Sequence, residues 1–543
     1  MQGLIMDVPL TITSIMQHAD CNHGDQEIVS ITTDNPRHRY TYAEAFRRTR
    51  KLANALSEYG IKPSDRIGTL AWNDYRHFEL YFGVAGIGAI THTINPRLFP
   101  EQIIYIINHA EDRLIFVDPF ILPTLEAIAD QLIPVEAFIV LTDDENLPSS
   151  TLKNIMSYEH FIGTCKDEYS WPDLDERSAS SLCYTSGTTG NPKGVLYSHR
   201  ANVLHSYASN TPDVFNFSTG DAAMPVVPMF HVNAWGIPYA SPMVGVKLVF
   251  PGPKMGDGAS LQALIEEEKV TFSAGVPTVW LALLNYLNES GKSVDSLKRV
   301  IIGGAACPEM VMRQFLDNYG VHVHHAWGMT ETSPLGTVNT LKAHMEDLPD
   351  TELYRMKLKQ GRALYGIEMK IVDDDNIELA RDGKSSGLLK VRGPWVCSDY
   401  FKMEGKNDVH DQDGWFATGD VATIDSDGYM QITDRSKDVI KSGGEWISSM
   451  DLENAAVGHP DVVEAAVIGI SHPKWSERPL LVIVRNPNSD LQAEEIIDWL
   501  KDKVAKWWLP DAVEFVDEIP HTATGKILKL ELRKQFSDFT FDI

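Results

Sequence analysis

The chain has 543 residues, 43% of them apolar, and a formal net charge of −27, so it is long enough for roughly two to four domains with buried cores. That acidity excludes nucleic acid and anionic membrane as main partners, because both require a net basic face; any polyanionic ligand must be held by local donors. Five scattered cysteines, an N-terminus with no basic residues ahead of its apolar stretch and the lack of any apolar run of membrane-spanning length lead to the expectation of a cytoplasmic protein with no transmembrane segment.

In chain order, the first clear helix opens at Thr41, where Thr41 and Glu44 form a capping box, carries an apolar stripe at Leu52, Ala55 and Leu56, and stops at Gly60. Strand-like runs over 66–71, 89–93, 114–118 and 137–141 then alternate with helical ones near 75–85 and from Pro100. This alternation predicts βαβ units. After a polar, acidic connection over 142–177 the pattern resumes with a strand over 179–183. Strands over 271–274 and 299–302 lead to Pro277 and Pro308, each expected in the first turn of a helix. The expected fold class is α/β, with a large N-terminal domain over 1–433 built of parallel or mixed sheets covered by helices on both faces. Within it, a β-rich subdomain over about 361–433 is marked by Asp-Gly turns at 413–414 and 427–428. Helices over 450–457 and 494–504 alternate with strands over 463–468 and 481–484, enough for a small α+β C-terminal domain over 439–543.

The stretch 184–194, YTSGTTGNPKG, carries the most legible chemistry. Glycines at 187, 190 and 194 permit positive φ and close approach of a ligand, so that successive N–H groups form an anion-binding nest to which the hydroxyls and Lys193 add donors. It is not a Walker A loop, because Lys193 is followed by glycine and the spacing differs. A hydroxyl-rich surface turn has a similar composition, yet needs no lysine in a Thr/Gly frame directly after a strand. Phosphate binding is the better reading.

Four further blocks follow: PMFHVNAWG at 228–236, AWGMTET at 326–332, GWFATGD at 414–420 and DRSKDVIKSGGEWIS at 434–448, with TATGK ending at Lys526. In this order they resemble the adenylate-forming acyl-CoA synthetase superfamily, and within it the chain is most similar to the medium- and long-chain fatty-acid CoA ligases. The resemblance implies attack of a carboxylate on the α-phosphate of ATP to give acyl-AMP and pyrophosphate, then attack by the thiol of coenzyme A to give acyl-CoA and AMP. It implies that Thr185, Ser186, Gly187, Thr188, Thr189, Gly190 and Lys193 hold the β- and γ-phosphates, that Thr330 contacts the α-phosphate and that Glu331 binds Mg²⁺. Trp327 stands where the family commonly has tyrosine, so adenine would stack on an indole, while Asp420 and Arg435 would take the ribose. Lys526 occupies the place of the family's adenylation lysine.

On the acyl side, His231 stands where amino-acid-activating relatives carry an Asp for the substrate ammonium, which implies an uncharged acyl chain. Trp235 resembles the gate residue of long-chain ligases, and Gly303, Gly304 and Ala305 leave room for a tunnel. Lys437 and Asp438 lie in the hinge, 434–438, about which a mobile C-terminal domain would turn. Lys441, Gly443, Gly444, Glu445 and Trp446 would then meet coenzyme A. The long-chain ligases also imply a homodimer. The nearest competitor is a ligase for a short sulfur-containing acid such as 3-methylmercaptopropionate; a luciferase-like oxygenase also stays open, and a non-catalytic adenylate-binding protein is disfavoured because Lys193, Glu331, Asp420, Arg435 and Lys526 are all present. A peptide-synthetase adenylation domain is disfavoured by His231 and by the short tail after Lys526. His322, His324 and His325 invite a metal reading, but strand periodicity puts only two of them on one face, so structural roles are expected; Cys183 and Cys307 are expected to be inert buried thiols.

Overall fold

The computed structural model describes residues 1, 3–185, 191–403, 409–443, 445–487, 489–521 and 527–541. The expected site positions Ser186, Gly187, Thr188, Thr189, Gly190, Gly444 and Lys526 lie outside the described residues. The described residues of 1–185, 191–368 and 392–407 form one compact unit, and those of 369–391 and 408–543 form the other.

The first unit contains two sheets. Five parallel strands, Ile155–Ser157, Ala137–Val140, Asp112–Val117, Arg66–Leu70 and Ile90–Thr93, continue into Ala179–Tyr184, and Gly194–Ser198 closes this sheet antiparallel. The other sheet has nine strands. Its centre, from His322–Gly328 through Arg299–Ile302, Phe272–Gly275, Ala222–Pro225 and Lys247–Phe250 to Glu27–Ser30, is parallel, and antiparallel strands flank it at both ends.

Helix Tyr75–Gly86 touches strands of both sheets and buries all of its residues, its charged Arg76 and Glu79 being paired with Asp34 and Arg48 at 2.8 and 2.7 Å, as buried charges require. Asp74 caps it by accepting from His77 N at 2.8 Å. The capping box forms as expected: Glu44 N donates to Thr41 Oγ1 at 3.3 Å, Thr41 N donates to Glu44 Oε2 at 2.8 Å, and the helix Tyr42–Tyr59 ends on left-handed Gly60. Two features differ from expectation. A helix, Ile12–Asn22, precedes Thr41 and packs Ile12, Ile15, Met16 and Ala19 inward, and the acidic connection contributes the edge strand Ile155–Ser157 and the helix Tyr158–Gly163. Pro277 opens its helix, whereas Pro308 stands one residue before helix Glu309–Tyr319.

The second unit also holds two sheets. Strands Ser386–Arg392, Phe416–Ile424 and Met430–Arg435 pair antiparallel, with Glu368–Val372 outermost, and Gly428 (φ 88°) makes the expected hairpin turn. In a five-stranded sheet Ser476–Arg485 is the central strand, antiparallel to Val462–His472 in a long hairpin and to Ile440–Ser442, and parallel to Ala512–Phe515, while Glu445–Ile447 pairs with Ile440–Ser442. The expected boundary after 433 places the four-stranded sheet in the N-terminal domain, but compactness groups most of it with the C-terminal segment. The reason is local: Ser448 Oγ donates to Thr433 O, and Ser449 N donates to Asp434 Oδ2 at 2.6 Å, tying helix Ser449–Val457 to the last strand of that sheet.

Candidate active site

Antiparallel pairing of Ala179–Tyr184 with Gly194–Ser198 closes the base of the glycine-rich loop. Thr185 N donates to Lys193 O at 2.9 Å and Lys193 N to Thr185 Oγ1 at 3.2 Å. Gly194 is closely packed, since a Cβ there would stand 3.1 Å from both Leu182 Cδ1 and Phe401 Cβ. The exposed Lys193 places Nζ 4.8 Å from the ring centroid of Tyr400, a cation–π distance. Tyr400 OH in turn donates to Glu331 Oε1 at 2.7 Å. Glu331 is buried, with its backbone oxygen accepting from Cys397 N at 2.8 Å, and the preceding Thr330 O accepts from Tyr197 OH at 2.6 Å. Burial, with the Glu331 carboxylate next, holds the Tyr400 phenol well above its usual pKa, so it remains a donor. A cation, a phenol and a carboxylate are thus linked in one line.

Glu331 suits Mg²⁺, which takes one or two carboxylates and fills the rest of its shell with phosphate oxygens and water. Among the described residues no three or more His, Cys, Asp or Glu side chains gather into an all-protein metal site. His324 and His325 have structural partners, their Nδ1 atoms lying 3.0 and 2.8 Å from Asn339 O and Leu358 O. Trp327 packs against Gly336, where a Cβ would meet the indole at 2.3 Å. Burial pushes the thiols of Cys183 and Cys307 up to about 11 and about 12, as inert cysteines require.

The acyl-side run is pinned by buried Asn73, whose Nδ2 donates to Pro225 O and Val227 O at 2.8 Å and whose Oδ1 accepts from Met229 N at 2.6 Å. Half-buried His231 follows, and then Val232, Asn233, Ala234, Trp235 and Gly236 all take left-handed backbone, with φ of 47°, 52°, 49°, 56° and 78°. Each non-glycine residue in that region costs about 1–2 kcal/mol, so tertiary contacts must hold the turn. Gly236 cannot carry a side chain, because a Cβ would meet the buried His205 ring at 2.7 Å. Trp235 and Gly303 come together: a Cβ on Gly303 would be 3.0 Å from Trp235 Cη2. Gly304 and Ala305 are exposed.

In the second unit Asp420 and Arg435 face each other across neighbouring strands, 2.7 Å apart, with the carboxylate buried and the guanidinium half-exposed. Arg533 brackets the expected hinge, donating to Lys437 O at 3.1 Å and pairing with Asp438 at 2.7 Å. Lys441 and Trp446 are directly paired across a short hairpin, with Nζ 5.5 Å from the ring centroid. The space over Gly443 is taken by the exposed Trp475, whose ring a Cβ there would meet at 2.9 Å.

Residues 16–401 match the family model of the AMP-binding enzymes, and residues 451–526 match that of the AMP-binding enzyme C-terminal domain. The chain belongs to the AMP-binding enzyme family. This AMP-binding enzyme is 52% identical over 538 residues to a medium-chain-fatty-acid–CoA ligase of Ectopseudomonas oleovorans, covering 99% of this chain and 98% of the other. It is 51% identical to a 3-methylmercaptopropionyl-CoA ligase of Ruegeria lacuscaerulensis, covering 99% of both chains. Among solved structures, an anthranilate CoA ligase in complex with anthranoyl-AMP superposes with a TM-score of 0.85 at 25% identity over 98% of both chains. In this AMP-binding enzyme Tyr400 and Tyr197 touch the candidate residues Glu331 and Thr330, and Asn73 pins the run that leads to His231. Sequence reading missed them because each works through long-range contacts and none carries a local signature.

Proposed function

We propose that this AMP-binding enzyme is an ATP-dependent fatty-acid CoA ligase for medium- to long-chain acids, making acyl-AMP and pyrophosphate and then acyl-CoA and AMP. The observation that carries the reading is Glu331, buried beside Thr330 and linked through Tyr400 to Lys193 at the base of the glycine-rich loop. The chemistry needs charge neutralisation and positioning rather than a covalent nucleophile, and this array offers both. Lys193 and Thr185 bear on the β- and γ-phosphates, Thr330 on the α-phosphate, Trp327 on adenine, and Asp420 with Arg435 on ribose. Mg²⁺, when bound at Glu331, neutralises phosphate charge. These ligand roles, like those of Ser186, Gly187, Thr188, Thr189, Gly190 and Lys526, rest on the resemblance.

Support for the acid comes from the apolar surroundings of Trp235 and from relatives named for medium- and long-chain acids, the latter from Thermus thermophilus at 45% identity. A second reading, a ligase for 3-methylmercaptopropionate, draws on the relative of that name at 51%. Coenzyme A is taken as acyl acceptor at Lys441, Gly443, Gly444, Glu445 and Trp446, after the segment turns at Lys437 and Asp438. The enzyme is placed in the cytoplasm, where its five free cysteines remain reduced. A panel of straight-chain acids and 3-methylmercaptopropionate, scored for pyrophosphate release with and without coenzyme A, tests the reading. Release that requires Mg²⁺ and an acid of medium or long chain, with thioester formed only when coenzyme A is present, is the expected result; formation of ADP in place of AMP would refute it.

A further inference from the structure

Among the described residues, 232–236 is the only stretch where consecutive non-glycine residues are left-handed, and it bridges the two sheets of the first unit. Toward the seven-stranded sheet, Asn233 Nδ2 donates to Ser181 Oγ at 3.0 Å and Asn233 Oδ1 accepts from Cys183 Sγ at 3.6 Å, both on strand Ala179–Tyr184. Toward the nine-stranded sheet, the Trp235 indole reaches Gly303, just past strand Arg299–Ile302. Asn233 is 2% exposed, so it acts on a substrate only through its neighbours. Asparagine suits the place twice over: it tolerates left-handed backbone better than other non-glycine residues, and it offers a donor and an acceptor on one short side chain. With the chain this tightly wound, fixing Asn233 fixes the direction in which Trp235, two residues on, leaves the backbone.

We infer that Asn233 is a positioning residue for acyl-chain selection: by tying the turn to Ser181 and Cys183 it sets how far the Trp235 indole reaches toward Gly303, and so which acid lengths are accepted. The inference rests on the CoA-ligase reading above. Asn233→Gly keeps the backbone tolerance and removes both hydrogen bonds, and Ser181→Ala removes the main acceptor from the strand side. In each, the ratio of kcat/KM between long and short acids should shift by about tenfold or more, while KM for ATP stays within about twofold. Placed on Trp235→Ala, which should itself shift the profile, Asn233→Gly should add no further change. Equal loss on every acid, or the same shift with Trp235 absent, would overturn the inference. Ser181→Ala carries the comparison if Asn233→Gly does not accumulate in folded form. A wild type that makes thioester from no acid refutes the ligase reading itself, whereas normal wild-type turnover with unshifted variant profiles refutes the role of Asn233 alone.

Discussion

The hydroxyl of Tyr400 stands between a cation and an anion, with Lys193 against its ring and Glu331 accepting its hydrogen bond. Tyr400→Phe keeps the ring and deletes only that bond, which at roughly 1–2 kcal/mol corresponds to a loss of about 5- to 30-fold in pyrophosphate release. Glu331→Gln removes the charge that suits Mg²⁺ and should cost about 10²-fold or more. Equal losses in the two variants would contradict this order. Asp74 makes a prediction about stability. Burial raises its carboxyl to about 7, with Asp118 adding to the rise, against a hydrogen bond from His77 N that lowers it. The folded protein therefore binds a proton that the unfolded chain releases between 3.8 and about 7, and stability falls as pH rises through that window. Asp74→Asn keeps a good N-cap and cannot ionise. Its thermal midpoint should exceed wild type by roughly 2 °C at pH 8 and match it near pH 4; a gain confined to low pH would reject the argument.

Elements with local signatures were legible in the sequence. The helix over 42–59 was readable because Thr41, Glu44 and Gly60 act on the backbone within a few residues of themselves. Helix Ile12–Asn22 was not, because the side chain of its cap residue Thr11 makes no capping bond to the helix backbone and its apolar face is fixed by distant helices such as Ile237–Val244. The left-handed turn was equally hidden: of VNAWG only Asn233 and Gly236 favour that backbone, and Val232, Ala234 and Trp235 are held there by packing. Thr185, Lys193, Thr330 and Glu331 were legible as motif members, while the tyrosines joining them were not. The expected hinge at Lys437 and Asp438 carries its own prediction. Lys526→Ala should lose adenylate formation by about 10²-fold yet still pass supplied acyl-AMP to coenzyme A, and Lys437→Pro should spare adenylation and slow thioester formation. Parallel loss of both half-reactions in both variants, with circular dichroism unchanged, would reject separate roles.

For the whole molecule, the resemblance to long-chain ligases leads us to expect a homodimer; sedimentation of the wild type as a monomer at micromolar concentration would reject it. The two sheets of the first unit share helix Tyr75–Gly86 as a common layer, so neither has a complete core by itself. Strand order adds a matter of timing. Glu27–Ser30 and His38–Thr41 pair with each other as a hairpin, yet the inner edge of Glu27–Ser30 is covered by Lys247–Phe250, through Ile28 opposite Leu248. A ribosome working at about 5–20 residues per second needs roughly 10–40 s to travel from the hairpin to its cover. Throughout that interval Glu27–Ser30 lacks the neighbour that covers its inner edge, and a two-stranded hairpin is marginal by itself, so this end of the nine-stranded sheet closes only after Lys247–Phe250 has been made.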